Sequence, residues 1–318
     1  MQKISMSIIL ALACLAVTPS ARAEERSVSL TRENGTLYGS LLLPEKQQDL
    51  PAVLLISGSG PTDRDGNTAI PTIQPATQKL IAQNLAEKGF ISLRFDKRGV
   101  GASKSALHSE GDLHVSDYVD DAVAWVKLLQ SQPHVRCVVI LGHSEGALIG
   151  ALAAAKTKVC GYISAEGAGF PIDEILLRQY KAAGAPEPLL KSLQEALAQL
   201  KAGKPVADVP TSLVAVLRPS IQPYMMSWLA IDPARVLSTI KEPVMIMQGT
   251  TDLQVSQEDA ERLHKAAPKA KFLLLDGVNH VLKTAPPDRQ ANIAAYAAGI
   301  SLAPTVMPAI IDFVNTLP

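Results

Sequence analysis

Ser144 lies between two glycines in Gly142-His143-Ser144-Glu145-Gly146, directly after the apolar run Val135–Leu141 and before the small-residue stretch Ala147–Ala155. A strand followed by a helix is the context in which a Gly-x-Ser-x-Gly string has chemical meaning. The sharp turn between them holds the serine in strained backbone geometry and projects its oxygen above the sheet as a nucleophile. Glycine is needed two residues to either side because side chains there would collide as strand and helix close together. A serine used this way needs a base to take its proton and an acid to orient the base, in the chain order Ser, Asp/Glu, His. Both are present downstream. Pro243–Gly249 reads as a buried strand with Thr250-Thr251-Asp252 in the loop that leaves it, and Lys271–Leu275 as the next strand with Asp276–His280 as its exit. Asp252 and His280 are thereby expected beyond the carboxyl ends of their strands, on the edge that carries Ser144, where a parallel sheet builds its sites. Glu166 follows the apolar segment Val159–Ala165 and competes for the acid role; the Gly-Thr-Thr-Asp setting favours Asp252.

The elements that must position these residues can be read along the chain. Val28–Leu30 and Leu37–Leu43 flank Asn34-Gly35 and predict an antiparallel hairpin. Ala52–Ile56 and Phe90–Phe95 read as strands, separated by a polar loop and a helix that carries Leu80, Ile81 and Leu85 and stops at Gly89. Tyr118, Ala122, Trp125, Val126 and Leu129 recur at helical spacing and predict a helix laid on the sheet before the Ser144 strand. Regular alternation of strand and helix implies an α/β domain with a mostly parallel sheet covered on both faces. Between 170 and 235 the alternation stops. The stripe Leu189, Leu190, Leu193, Leu197 and Leu200, with Pro186, Pro188, Pro205, Pro210, Pro219 and Pro223 punctuating the remainder, predicts an inserted helical cap, with the core formed by 24–169 and 236–318. Met225, Met226 and Trp228 are candidates for lining a pocket or for packing the cap onto the core.

These pieces together resemble the α/β-hydrolase superfamily, in particular its bacterial carboxylesterases and serine aminopeptidase-like members. The matching motifs run from Ser57-Gly58-Ser59-Gly60-Pro61-Thr62-Asp63-Arg64-Asp65-Gly66-Asn67 through Arg94–Ser103 and the Ser144 turn to Gly249-Thr250-Thr251-Asp252 and Asn279-His280. The resemblance implies an α/β-hydrolase fold with an inserted helical cap and a catalytic set of Ser144, Asp252 and His280. It also implies an oxyanion hole made by the backbone N–H of Glu145 and of Ser59 or Gly60. Asp96, Arg98 and Ser103 match the family's structural loop, and Asp63-Arg64-Asp65 reads as a loop-bracing ion cluster or a substrate contact. An aspartate-dependent dehalogenase or epoxide hydrolase would need Asp where Ser144 stands.

The expected reaction is hydrolysis of a small carboxylic ester through an acyl-enzyme on Ser144, with soluble esters of short to medium acyl chain preferred. An exopeptidase or amidase of the aminopeptidase type is the alternative, because the same three residues serve either leaving group. A non-catalytic ligand-binding relative is a second alternative, weakened by the presence of all three residues. Thirty basic against thirty acidic residues and 4% aromatics argue against nucleic acid as a partner. No cofactor or metal is implied: the Gly58–Gly60 loop lacks a following Gly-Lys-Ser/Thr, and the other histidines show no metal-ligand spacing. With 318 residues, 47% hydrophobic, the chain can bury a large core.

Lys3, the apolar stretch Ile8–Val17 and Ala21-Arg22-Ala23 form the pattern of a secretory signal peptide over residues 1–23, so a periplasmic or secreted protein without stable membrane insertion is expected. Cys14 invites a lipoprotein reading, which Ala11-Leu12-Ala13 fits poorly. Cys137 and Cys160 each precede a segment read as one of two neighbouring strands. A bridge or a pair of small buried thiols are the two possibilities, decided by distance.

Overall fold

The computed structural model describes residues 23–46 and 48–318; the signal-peptide pattern, with Cys14, lies outside them apart from Ala23. Eight strands build one sheet: β1 (Glu24–Arg32), β2 (Gly35–Leu43), β3 (Leu50–Ile56), β4 (Ser92–Phe95), β5 (Val135–His143), β6 (Gly161–Ala165), β7 (Val244–Gly249) and β8 (Lys271–Leu275). Their spatial order is β1-β2-β4-β3-β5-β6-β7-β8, antiparallel at the first two pairings and parallel from β4 to β8. This is the α/β-hydrolase architecture that the sequence implies. The hairpin differs by one residue from its expected position: Arg32 pairs with Gly35, so Glu33 and Asn34 form the turn and Gly35 opens β2.

Residues alternate across the sheet with the two-residue period of a strand. Val53 and Leu55 of β3 face one layer, formed by α1 (Thr77–Glu87) and the C-terminal α11 (Val306–Asn315), where Ile81, Leu85, Ile310 and Phe313 are buried. Leu54 and Ile56 face the other, where α2 (Val115–Gln130) contributes Trp125 and Val126 and α3 (Glu145–Ala154) contributes Ile149. All of α3 except Leu152 is buried, because the sheet, α2 and a helix of the insertion enclose it. Its small residues are what allow that enclosure.

Among the described residues, no strand interrupts the chain between β6 and β7. That stretch forms α4 (Ile172–Ala182), α5 (Glu187–Lys201), α6 (Val214–Leu217), α7 (Gln222–Leu229) and α8 (Pro233–Leu237), the last crossing position 235. Leu193, Leu197 and Leu200 join Ile175, Leu176, Leu213, Leu217, Met225 and Leu229 in a core of their own. Two further helices, α9 (Gln257–Ala266) and α10 (Arg289–Ala294), follow β7 and β8. Among the described residues, no helix is long and apolar enough to cross a membrane.

Cys137 in β5 and Cys160 just before β6 are disulfide-bonded, their Cα atoms 5.9 Å apart. The pairing follows from adjacency, since Cys160 N–H donates to the Val138 carbonyl at 2.9 Å.

Candidate active site

β5 ends at His143 and α3 begins at Glu145, so a single residue, Ser144, carries the reversal of direction. Its backbone sits at φ 56° and ψ −122°, a region that costs a non-glycine residue roughly 1–3 kcal/mol. Two hydrogen bonds hold it there: Ser144 N–H donates to Ala165 at 3.0 Å, and its carbonyl accepts from Ala147 N–H at 2.9 Å. The flanking glycines are required by contact. A Cβ on Gly142 would stand 2.1 Å from the Gly146 carbonyl oxygen, and one on Gly146 would stand 2.4 Å from that of Ile56.

Asp252 follows β7 and His280 follows β8. His280 Nδ1 lies 2.7 Å from Asp252 Oδ2, with both side chains almost fully buried. The second oxygen, Oδ1, accepts the backbone N–H groups of Gln254 at 2.6 Å and Val255 at 3.1 Å, while Gln248 Nε2 donates to Oδ2 at 3.2 Å. Burial pushes the Asp252 carboxyl upward. The positive charge available on His280 and the hydrogen bonds from His280, Glu166 and Gln254 outweigh it, so the group is held below the usual carboxylate range. With Nδ1 committed to Asp252, His280 is left with Nε2 for the cavity that it lines together with Ser144.

Glu166 occupies the end of β6, at φ 50°, completely buried. It does not reach His280. Both its oxygens lie within hydrogen-bonding distance of the Gly249 N–H, at 2.9 and 3.0 Å, and its carboxyl meets the Asp252 side chain. Burial, then the Asp252 charge, push it well above the ordinary glutamate range. It is therefore a neutral acid that donates to Asp252, a buffer between that carboxylate and the protein interior.

A model of the alpha/beta hydrolase family matches residues 35–295. The chain belongs to that family. Esterase EstD of Thermotoga maritima is 29% identical over 265 residues, covering 81% of this chain; the chain spans about 60% of the length of that relative. Among solved structures, the alpha/beta hydrolase GrgF from Penicillium sp. superposes with a TM-score of 0.61 at 20% identity, covering 92% of this chain and 98% of that one. Est1E from Butyrivibrio proteoclasticus, solved with ferulic acid bound, gives 0.58 at 16% identity over 91% and 99%. At these identities the likeness is one of fold.

In this member of the family the loop after β3 lies against the serine: a Cβ on Gly58 would stand 3.1 Å from Ser144 Cβ. The N–H groups of Ser59 and Gly60 donate to no acceptor among the described residues, and Glu145 N–H, in the first turn of α3, has no preceding helical carbonyl to meet. Ser59, Gly60 and Glu145 line one cavity with Ser144, so these uncommitted N–H groups are candidates for receiving a negative oxygen there. Lys97 holds this loop in place, and nothing in the sequence pattern singled it out. Its buried Nζ donates to the Gly58 carbonyl at 2.6 Å and to Glu145 Oε2 at 3.0 Å, while Tyr224 of α7 donates to Glu145 Oε1 at 2.7 Å. Burial and the Glu145 charge push the Tyr224 phenol well up, so it remains a donor.

The expected structural loop is structural. Arg64 pairs with Asp96 at 2.6 Å, Asp65 with Arg94 at 2.8 Å and Asp121 with Arg98 at 2.6 Å, and Ser103 Oγ accepts from Tyr38 N–H. His143 supports the turn in a specific way: it lies 2.6 Å from the His280 carbonyl oxygen, and burial followed by the nearby His280 lowers its pKa to about 4. A neutral His143 therefore donates Nε2–H to that carbonyl.

Two cavities open on Ser144. One, of about 300 Å³, lies under the insertion and is lined by Leu148, Phe170, Leu176, Met225 and Trp228. Met226 instead packs within the insertion. The other, of about 220 Å³, contains His280 and is lined by Thr62, Thr68, Gln78, Gln254 and Tyr296.

Proposed function

We propose that this alpha/beta hydrolase is a serine esterase that cleaves carboxylic esters of small substrates. Ser144 attacks the carbonyl, His280 Nε2 takes its proton and returns it to the leaving alcohol, and Asp252 holds the imidazole with its proton on Nδ1. The developing oxyanion is received by the N–H of Glu145 and that of Ser59 or Gly60, and water then releases the acid. The observation that carries this reading is the strained Ser144 facing the same cavity as a buried His280–Asp252 pair. EstD, an esterase by name, is in keeping with it.

The ester is favoured over an aminoacyl amide by the lining of the two cavities. An exopeptidase must hold a free amino group, and the only acid among the lining residues is Glu145, already engaged by Lys97 and Tyr224. A fluorophosphonate probe is expected to label Ser144, and Ser144→Ala to lower hydrolysis by about 10⁴- to 10⁶-fold. Active protein that resists the probe would overturn the mechanism. Faster turnover of aminoacyl nitroanilides than of p-nitrophenyl butyrate would replace the esterase with the aminopeptidase.

We further propose that the protein is exported and processed between Ala23 and Glu24, in keeping with the Cys137–Cys160 bridge, which belongs in an oxidising compartment. Intact mass of the protein from periplasm or medium tests this; a chain retaining residues 1–23 refutes it.

A further inference from the structure

The cavity that contains His280 has a polar feature that the proposed reaction does not use. Gln78, in the first turn of α1, is 2% exposed and lines this cavity, yet its Oε1 is buried with no hydrogen-bond partner among the described residues, and its side chain makes no hydrogen bond at all there. The oxygen is packed against Gly66, which leaves the amide NH₂, also without a partner among the described residues, as the group that can donate to a partner arriving in the cavity. Its position is built rather than accidental. The neighbouring Thr77 hydroxyl donates to the Val281 carbonyl at 3.0 Å, tying the start of α1 to the loop that carries His280. Room for the amide exists only because residue 66 is glycine: a Cβ there would stand 2.0 Å from Gln78 Oε1. Tyr296, also in this wall and buried, accepts from Gln254 Nε2 at 3.3 Å and keeps its own hydroxyl proton uncommitted among the described residues.

Proton bookkeeping decides which half of an ester lies here. The leaving oxygen must take its proton from His280 Nε2, so the alcohol half occupies the cavity that His280 lines and the acyl half occupies the apolar cavity beneath the insertion, where His280 is absent. We infer that the preferred substrates are esters whose alcohol half carries a further hydroxyl, as in a monoacylated diol or polyol, and that Gln78 is the residue that selects them, with Tyr296 as a second donor. A hydroxyl two carbons from the ester oxygen can accept from the carboxamide NH₂, whereas an alkyl alcohol leaves that NH₂ unpaired.

This inference rests on the esterase reading, and its test separates the two. Specificity constants are measured by pH-stat for 2-hydroxyethyl butyrate and n-propyl butyrate, which share the acyl group and number of heavy atoms, with p-nitrophenyl butyrate alongside. The wild-type protein is expected to favour the hydroxyethyl ester by about 10-fold, the effect of one ordinary hydrogen bond. In Gln78→Met that ratio falls toward one. Tyr296→Phe, which changes a single atom, serves as the second variant and narrows the ratio should Gln78→Met fail to fold. A wild-type ratio near or below one, or a ratio unchanged in the variants, overturns the inference while hydrolysis of p-nitrophenyl butyrate leaves the esterase standing. Absence of activity on all three esters overturns both.

Discussion

Replacing Asp252 with Asn should disable the enzyme, whereas replacing Glu166 with Gln should barely affect it, and the reason lies in which hydrogen bonds each carboxyl makes. Asp252 Oδ1 accepts two backbone N–H groups, so in Asp252→Asn the carboxamide oxygen must remain there and the NH₂ must turn toward His280 Nδ1. That NH₂ can only donate. It forces the imidazole proton onto Nε2, where no proton can be taken from Ser144, and it also faces the NH₂ of Gln248. A wrong tautomer in such a triad costs about 10⁴-fold in turnover. Glu166 differs because it is neutral, accepting from Gly249 N–H and donating to Asp252. Glutamine reproduces one acceptor and one donor, so kcat/KM on p-nitrophenyl butyrate at pH 7 should stay within about threefold. Glu166→Leu strands the Gly249 N–H and removes a donor from a buried carboxylate, about 1–3 kcal/mol, which corresponds to roughly 5- to 150-fold if it falls on the transition state. Linkage offers an independent readout. Glu166 binds its proton more tightly when folded, so its contribution to stability is complete at pH values below the ordinary glutamate range and declines as pH rises toward the folded value. Urea unfolding of Glu166→Gln should lack that decline. Loss of activity in Glu166→Gln with activity retained in Asp252→Asn would refute the assignment of the two acids.

Three further outcomes are expected. His143 is neutral in the fold down to about pH 4, so stability is unaffected by it above about 6.5 and falls on acidification between those values by about 3 kcal/mol; urea midpoints should show this component and His143→Gln should remove it. Lys97→Met leaves Glu145 as a buried carboxylate without its cation and should destabilise by about 3–5 kcal/mol in thermal unfolding, part of it restored by adding Glu145→Gln. Reduction of Cys137–Cys160, which closes a loop with a sequence separation of 23, should cost about 3 kcal/mol, read as a lower melting temperature with dithiothreitol than without.

Local chemistry was enough to locate the strands and the Ser144 turn. Short apolar runs bounded by turn residues read as buried strands, and Gly142 is demanded by the carbonyl of Gly146 four residues on, whereas Gly146 is demanded by the Ile56 carbonyl that only the folded sheet brings to it. The edge of the sheet on which Asp252 and His280 emerge followed from the alternation of strands and helices, since parallel strands send all their exit loops to one side. What the alternation left undecided was every question of distance across the sheet. Glu166 and Asp252 both leave neighbouring strands at that edge, and only the packed structure shows that one reaches His280 while the other reaches the first. Cys137 and Cys160 could be placed on neighbouring strands, yet bridge or free thiols stayed undecided until their Cα separation of 5.9 Å was fixed by the packed sheet. Lys97, Gln78, Tyr224 and Tyr296 carry no signal in the sequence, because a lone polar residue in an amphipathic pattern looks like a solvated one. Their burial, and the partners each finds or lacks, arise from segments brought together across 48 residues for Lys97 and Glu145 and 79 for Glu145 and Tyr224. Such meetings are a property of the tertiary fold alone.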